Sequence, residues 1–265
     1  MSMVLGVTFC RVWTWSQTLF QPEIEICSRS RHAWGAESNL AVVALNCPYM
    51  KDPSLYPRGI DHVASLYITE IKRRQPRGPY ALGGWSVGGI FAYHCAQLLV
   101  AEGDTVSDLV LLDCPVPRGL DHLPKRYFEY CEEIGLLGDV HSRTGERKTP
   151  PPWLIPHFEA CINSLHDYHA SPFEPKDWAP TTHIIWACNS IDAHVENKFE
   201  HRDNDPEGLK FLTLARQDYG PCGWEKLLPE ANMRFARVSG ANHFSMMKGE
   251  LAGNLSGIIK HALMK

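Results

Sequence analysis

Short apolar runs separated by longer amphipathic stretches set the rhythm of this chain. Ala41-Val42-Val43-Ala44-Leu45 is continuous and β-branched and stops at Asn46 and Pro48, as expected of a strand buried on both faces. Similar runs recur at Tyr80-Ala81-Leu82, Leu109-Val110-Leu111-Leu112, Ile184-Ile185-Trp186-Ala187 and Phe235-Ala236-Arg237-Val238. Helical spacing fills the gaps. From Asp61 to Gln75, Val63, Leu66, Tyr67 and Ile71 share one stripe, and Lys72, Arg73 and Arg74 crowd the last turn before Pro76, where cations suit the negative helix end. Ile90 to Glu102 predicts a buried helix ending at Gly103, and Leu251, Leu255, Ile258, Ile259 and Leu263 predict a closing one. Strands alternating with helices imply an α/β fold, a mainly parallel sheet covered on both faces.

One interval breaks the alternation. Between Asp113 and Ile184 lie two helix-like patches, Arg126 to Leu137 and Trp153 to Tyr168, separated by a polar, Pro-rich segment from Asp139 to Pro152. Inserted after a strand's carboxyl end, this excursion predicts a lid over a site. Trp153, Phe158 and Tyr168 are candidate walls of an apolar chamber beneath it, or plain core aromatics.

The chemistry-bearing pattern is Tyr80-Ala81-Leu82-Gly83-Gly84-Trp85-Ser86-Val87-Gly88-Gly89, a G-x-S-x-G between a strand-like and a helix-like run. A serine hydroxyl is a weak nucleophile at neutral pH, so it needs a tight strand-to-helix turn where a base can reach it. Gly84 and Gly88 are expected to let that turn take its strained conformation, and Gly89 to let the helix sit close to the strand. Of thirteen histidines, His243 alone stands in a turn just after the last strand, in Gly240-Ala241-Asn242-His243, where a loop can return an imidazole to Ser86. Asp113 and Asp192 compete as the acid that orients the base; each follows a strand whose end opens on the same sheet edge. Val87 N–H is the first expected oxyanion donor. For the second, residues 1–40 offer Gly6 and Gly35 but no convincing strand followed by a Gly-rich loop.

Composition narrows the partners. A net charge of -4 with 21% charged residues lacks the basic excess that holds a phosphate backbone, so nucleic acid is not expected. Nine cysteines without a C-x-x-C pair suggest reduced thiols in a cytosol, and Met1 to Cys10 lacks a basic leader. No apolar run approaches the ~18 residues of a membrane span. His166, Asp167 and His169 do not form a convincing metal set, and Gly83-Gly84 lacks the remainder of a phosphate loop.

Several segments in one order carry a more specific signal. Asn46-Cys47-Pro48-Tyr49, Arg73-Arg74-Gln75-Pro76-Arg77-Gly78-Pro79-Tyr80, Gly83-Gly84-Trp85-Ser86, Leu154-Ile155-Pro156-His157-Phe158, Tyr219-Gly220-Pro221 and Gly240-Ala241-Asn242-His243-Phe244 together resemble the thioesterase domain that ends fungal non-reducing polyketide synthases. The resemblance implies an α/β-hydrolase fold over residues 40–265, with a lid at about 116–180 and a divergent segment at 1–39. It also implies Ser86 as nucleophile, His243 as base and Asp113 as acid. Such a domain uses no cofactor of its own. It takes an acyl chain from the phosphopantetheine of an acyl carrier protein and releases it by Claisen-type cyclisation, by hydrolysis or to an alcohol. The unmatched front leaves a weakly active, carrier-binding homologue as the alternative, with a general esterase of the same fold behind it.

Overall fold

The alternation of apolar runs and amphipathic stretches produces a six-stranded sheet in the order β2-β1-β3-β4-β5-β6. The computed structural model describes residues 8–11, 42–137, 149–174, 180–228 and 232–264, with the backbone alone at 8–11. The strands are β1 (Thr8–Arg11), β2 (Val42–Leu45), β3 (Tyr80–Trp85), β4 (Val106–Leu112), β5 (Thr181–Ala187) and β6 (Met233–Val238). From β3 to β6 each neighbour is parallel. The helices are α1 (Asp61–Arg74), α2 (Val87–Ala101), α3 (Lys125–Glu133), α4 (Leu154–Leu165), α5 (Glu207–Thr213) and α6 (Gly249–Leu263).

Side-chain alternation on the central strands divides the core into two layers. On β4, Leu109 and Leu111 face one way and Val110 and Leu112 the other; on β5, Ile184 and Trp186 oppose Ile185 and Ala187. The first layer packs beneath α1 and α2 through Val63, Tyr67, Ile71, Ile90 and Phe91. The second packs beneath α3 and α6 through Tyr127, Phe128, Leu255 and Ile259. The basic triplet of α1 ends in ion pairs: Arg73 and Arg74 with Glu70, and Lys72 with Glu102 and Asp104. The interval between β4 and β5 carries α3 and α4, close to the two patches expected there; residues 138–148 of its Pro-rich segment lie outside the described residues.

β2 lies at the end of the described sheet, yet both of its faces are covered as expected: Leu45 is buried in the first layer with Val43 against it, and Ala44 in the second with Val42 against it. One expectation changes. A strand does exist within residues 1–40. Thr8–Arg11 lies antiparallel between β2 and β3, pairing Phe9 with Ala44 on one side and with Gly83 on the other. Four residues are too few for a period to stand out, and unpaired backbone along β3 supplies the partner that fixes them. Gly6 and Gly35 lie outside the described residues.

The turn from β3 into α2 depends on close backbone approach. A Cβ on Gly84 would lie 2.1 Å from the Gly88 carbonyl carbon and oxygen, and one on Gly89 would lie 2.5 Å from Cys114 Sγ. The Gly88 backbone cannot yield. The strained conformation falls on Ser86 itself, at φ 55 and ψ -128, whereas Gly84 and Gly88 are absent from the positive-φ residues. The glycines of the motif therefore provide clearance around the strained serine, as expected. Gly84→Ala is expected to destabilise the fold by about 3 kcal/mol, read as a lowered urea midpoint, while alanine at Gly253, where a Cβ meets nothing within 4 Å, leaves the midpoint near that of the wild type.

Candidate active site

Ser86 and Asp113 each sit one residue beyond a strand end and are stitched into the next strand. Ser86 N–H donates to Leu112 O at 2.9 Å, and Asp113 N–H to Ile185 O at 2.8 Å. Parallel neighbours thus bring both side chains to one edge of the sheet. Both residues hold positive φ without being glycine, Asp113 at 42, a conformation that non-glycine residues keep only where the surroundings over-determine it. Gly89 N–H closes the first turn of α2 onto Ser86 O at 2.9 Å. Val87 opens the helix, so its N–H has no acceptor a turn earlier and is free to meet a developing oxyanion.

His243 reaches the same edge on the turn after β6. Gly240 is left-handed at φ 77, and Ala241 O accepts the Cys188 and Asn189 N–H groups at 2.8 and 2.7 Å. Asn242 Oδ1 accepts from Phe244 N–H and Ser245 N–H, at 3.0 and 2.8 Å, so the residues around His243 form a tied turn. His243 is 2% exposed. Its Nδ1 lies 2.7 Å from Asp113 Oδ2, a contact in which Nδ1 carries the proton and Nε2 keeps its lone pair. That Nε2 is buried and has no hydrogen-bond partner among the described residues. Trp85, the residue before Ser86, holds the imidazole from the nucleophile side: its Nε1 donates to His243 O at 3.0 Å, and the two rings lie 5.0 Å apart. Phe244 and Phe211 close two further sides, with ring centroids 5.1 and 6.0 Å from the imidazole.

The two aspartates part company. Asp113 is 1% exposed and every oxygen is used: Oδ2 by His243, Oδ1 by Ala187 N–H at 3.1 Å and by Arg216 Nη2 at 2.9 Å. Asp192 instead organises its own loop, accepting from Ser190 Oγ at 2.7 Å and Phe199 N–H at 3.0 Å. Partial burial works to raise the Asp192 pKa, but the Ser190 and Phe199 hydrogen bonds and nearby Lys198 outweigh it and hold the carboxyl below its usual value. Cys114, next to Asp113, is kept a neutral packing group because burial, and then the Asp113 charge, push its thiol well up.

Of the expected chamber residues, Phe158 is buried edge-on against Phe128, and Trp153 is half-buried against that same layer. Tyr168 lies elsewhere. It packs on the opposite layer, bonds His94 Nδ1 at 3.1 Å and lines a cleft of about 720 Å³ with Tyr56, Arg58, Asp61 and His166. Ser86, Asp113 and His243 are not among that cleft's walls, so the three aromatics do not gather around one chamber. Sequence reasoning missed Arg216 and gave Trp85 and Phe211 no role. Trp85 lay inside the serine motif, but nothing local marks the other two. His166 Nδ1 is engaged by Leu120 O at 2.8 Å, and among the described residues no group of three or more His, Cys, Asp and Glu side chains is placed to share an ion.

A serine on a positive-φ strand-to-helix turn, with an imidazole after the last strand and a carboxylate one strand over, defines this mainly parallel α/β protein as an α/β-hydrolase. The thioesterase-domain family model matches residues 32–262, and the chain belongs to that family. It is 66% identical over 226 residues, 85% of the chain and 11% of the relative, to the non-reducing polyketide synthase pks27 of Aspergillus flavus. It is also 45% identical over 219 residues, 82% of the chain and 10% of the relative, to the non-reducing polyketide synthase terA of Aspergillus terreus. The chain thus spans about a tenth of the length of these synthases. Among solved structures, the NocB thioesterase domain in covalent complex with a fluorophosphonate nocardicin G analogue is similar in fold. Its TM-score is 0.56 at 23% identity, with 83% of this chain and 81% of that one covered.

The Asp192 carboxylate gives a pH prediction. Because its folded pKa is depressed, its contribution to stability is complete above the ordinary carboxylate pKa of about 4 and is lost as pH falls through the folded value. Urea melts of Asp192→Ala should therefore show a destabilisation at pH 7 that disappears in strong acid.

Proposed function

We propose that this chain is the acyl-releasing domain of a fungal non-reducing polyketide synthase, with Ser86, His243 and Asp113 as its catalytic triad. The observation that carries the reading is the 2.7 Å Asp113–His243 contact, with Asp113 on the sheet edge that also carries the strained Ser86, in a chain 66% identical to a stretch of such a synthase. The domain itself is proposed to run over residues 40–265, with residues 116–180 as the lid. No cofactor of its own is required. The substrate is a polyketide acyl thioester carried on the phosphopantetheine of an acyl carrier protein, and the reaction takes place in the cytosol, in keeping with the unpaired state of the described cysteines. Among the described residues no helix is long and apolar enough to cross a membrane.

In this reading each proton has a place. His243 Nε2 takes the Ser86 hydroxyl proton as Oγ attacks the thioester carbonyl, and Asp113 stabilises the imidazolium through Nδ1–H. Val87 N–H receives the developing oxyanion. When the tetrahedral adduct collapses, the C–S bond breaks and the imidazolium returns its proton to the departing pantetheine thiol, leaving an ester on Ser86. A second nucleophile then releases the acyl group: water gives the acid, an alcohol gives an ester, and a stabilised carbanion of the chain itself gives a carbon–carbon ring. Trp153 and Phe158, on the layer that also holds Trp85 and Phe244, keep a proposed part as lid aromatics that restrict water, and Tyr168, in the separate cleft, does not.

Incubation with a fluorophosphonate should label wild-type protein on Ser86 and leave Ser86→Ala unlabelled. With acyl N-acetylcysteamine thioesters, Asp113→Asn should lower kcat by about 10⁴-fold, while Asp192→Asn stays near wild type. A folded protein that takes no label would establish an inactive carrier-binding homologue, and preference for p-nitrophenyl esters over thioesters would establish a general esterase.

A further inference from the structure

The function proposed above uses one oxygen of Asp113; the other is held by a cation that the three-residue mechanism does not need. Arg216 lies on the loop between α5 and β6, and its Nη2 is 2.9 Å from Asp113 Oδ1. The guanidinium is clamped in place. It lies over the Phe211 ring at 4.2 Å and the Trp186 ring at 4.6 Å, and its backbone N–H donates to Cys188 O at 3.1 Å. Phe211 in turn touches the imidazole of His243 at 6.0 Å between ring centroids. One side chain thus packs against both the arginine and the histidine.

Resting on the triad reading, we propose that Arg216 is a positioning residue for the acid–base pair. It fixes the Asp113 carboxylate so that Oδ2 stays on His243 Nδ1. A carboxylate with only His243 and Ala187 N–H as partners could rotate and exchange its oxygens. The charge-assisted bond from Nη2 to Oδ1, held in place by the two rings that sandwich the guanidinium, opposes that exchange.

The charges around His243 permit a clean test. Asp113 reaches it from the end of β4, and Arg216 stands behind Asp113 on the loop before β6, whereas Trp85, Phe211 and Phe244 present rings to the imidazole. Further out, Arg237 on β6 lies over the Tyr219 ring at 5.2 Å, and Lys248 Nζ donates to Leu136 O at 3.2 Å.

The readout is the downfield His243 Nδ1–H proton signal, recorded by NMR in a Ser86→Ala background so that turnover plays no part, alongside steady-state kinetics in the Ser86 protein. Arg216→Gln should broaden or lose that signal and lower kcat for a thioester roughly tenfold at pH 7 with KM little changed. Arg216→Lys, which keeps the charge and loses the planar, ring-stacked guanidinium, should recover only part of the kcat. A folded Arg216→Gln protein with the wild-type Nδ1–H signal would overturn the proposal. If Arg216→Gln does not fold, Arg216→Lys decides: reduced kcat with unchanged KM supports the positioning role, and wild-type kcat refutes it. Failure of the wild type to turn over thioesters would sink the thioesterase reading, while the Nδ1–H signal would still report what Arg216 does to the Asp113–His243 pair.

Discussion

The approach of two backbones at Gly84 and Gly88 governs the geometry of this molecule. With no Cβ between them, α2 starts directly off β3, and Ser86 is left at the apex in a conformation it would not adopt alone. The cost of a positive φ at a serine, about 1–3 kcal/mol, is offset by the layers that clamp the two elements: Leu82 and Tyr80 beneath, Ile90 and Phe91 above. A reactive hydroxyl is thus presented by packing that extends far from it.

Asp113 repeats the same logic one strand over. It too has positive φ, and its buried charge is compensated by a backbone N–H, an imidazole and a guanidinium. Burying a carboxylate is tolerable only when its lone pairs are met in this way. The sheet supplies one partner from β5, and the loops flanking β6 supply the other two. Because each donor comes from a different segment, the site assembles only when the parallel strands are in register.

Legibility in the sequence followed the range of the interactions. The serine turn, the helix over 61–74, the closing helix and the two lid helices were readable because period and punctuation are local signals. The choice between Asp113 and Asp192 was not, since both follow strand ends; the shorter distance of Asp113 from its strand and the family resemblance favoured Asp113, and what separates the two in space is a contact 130 residues away. Arg216 and Phe211 carried no motif at all. β1 escaped for a related reason: four residues acquire strand character from the open edge of β3, not from their own pattern. The apolar run of β2 suggested a strand covered on both faces, and Leu45 and Ala44 do enter the two layers, but its place at the border of the described sheet depends on which segment lies beside it.

The covering helix α4 has roots in both halves of the interior. Cys161 and Leu165 belong to the layer under α1 and α2, and Leu154, Phe158 and Ile162 to the layer under α3 and α6. Lifting it as a rigid flap would wet all of these side chains at once, at roughly ten kcal/mol for groups of this size. The helix is therefore anchored as firmly as the core it spans, and any breathing of this part of the fold leaves α4 in place and is smaller than a hinge.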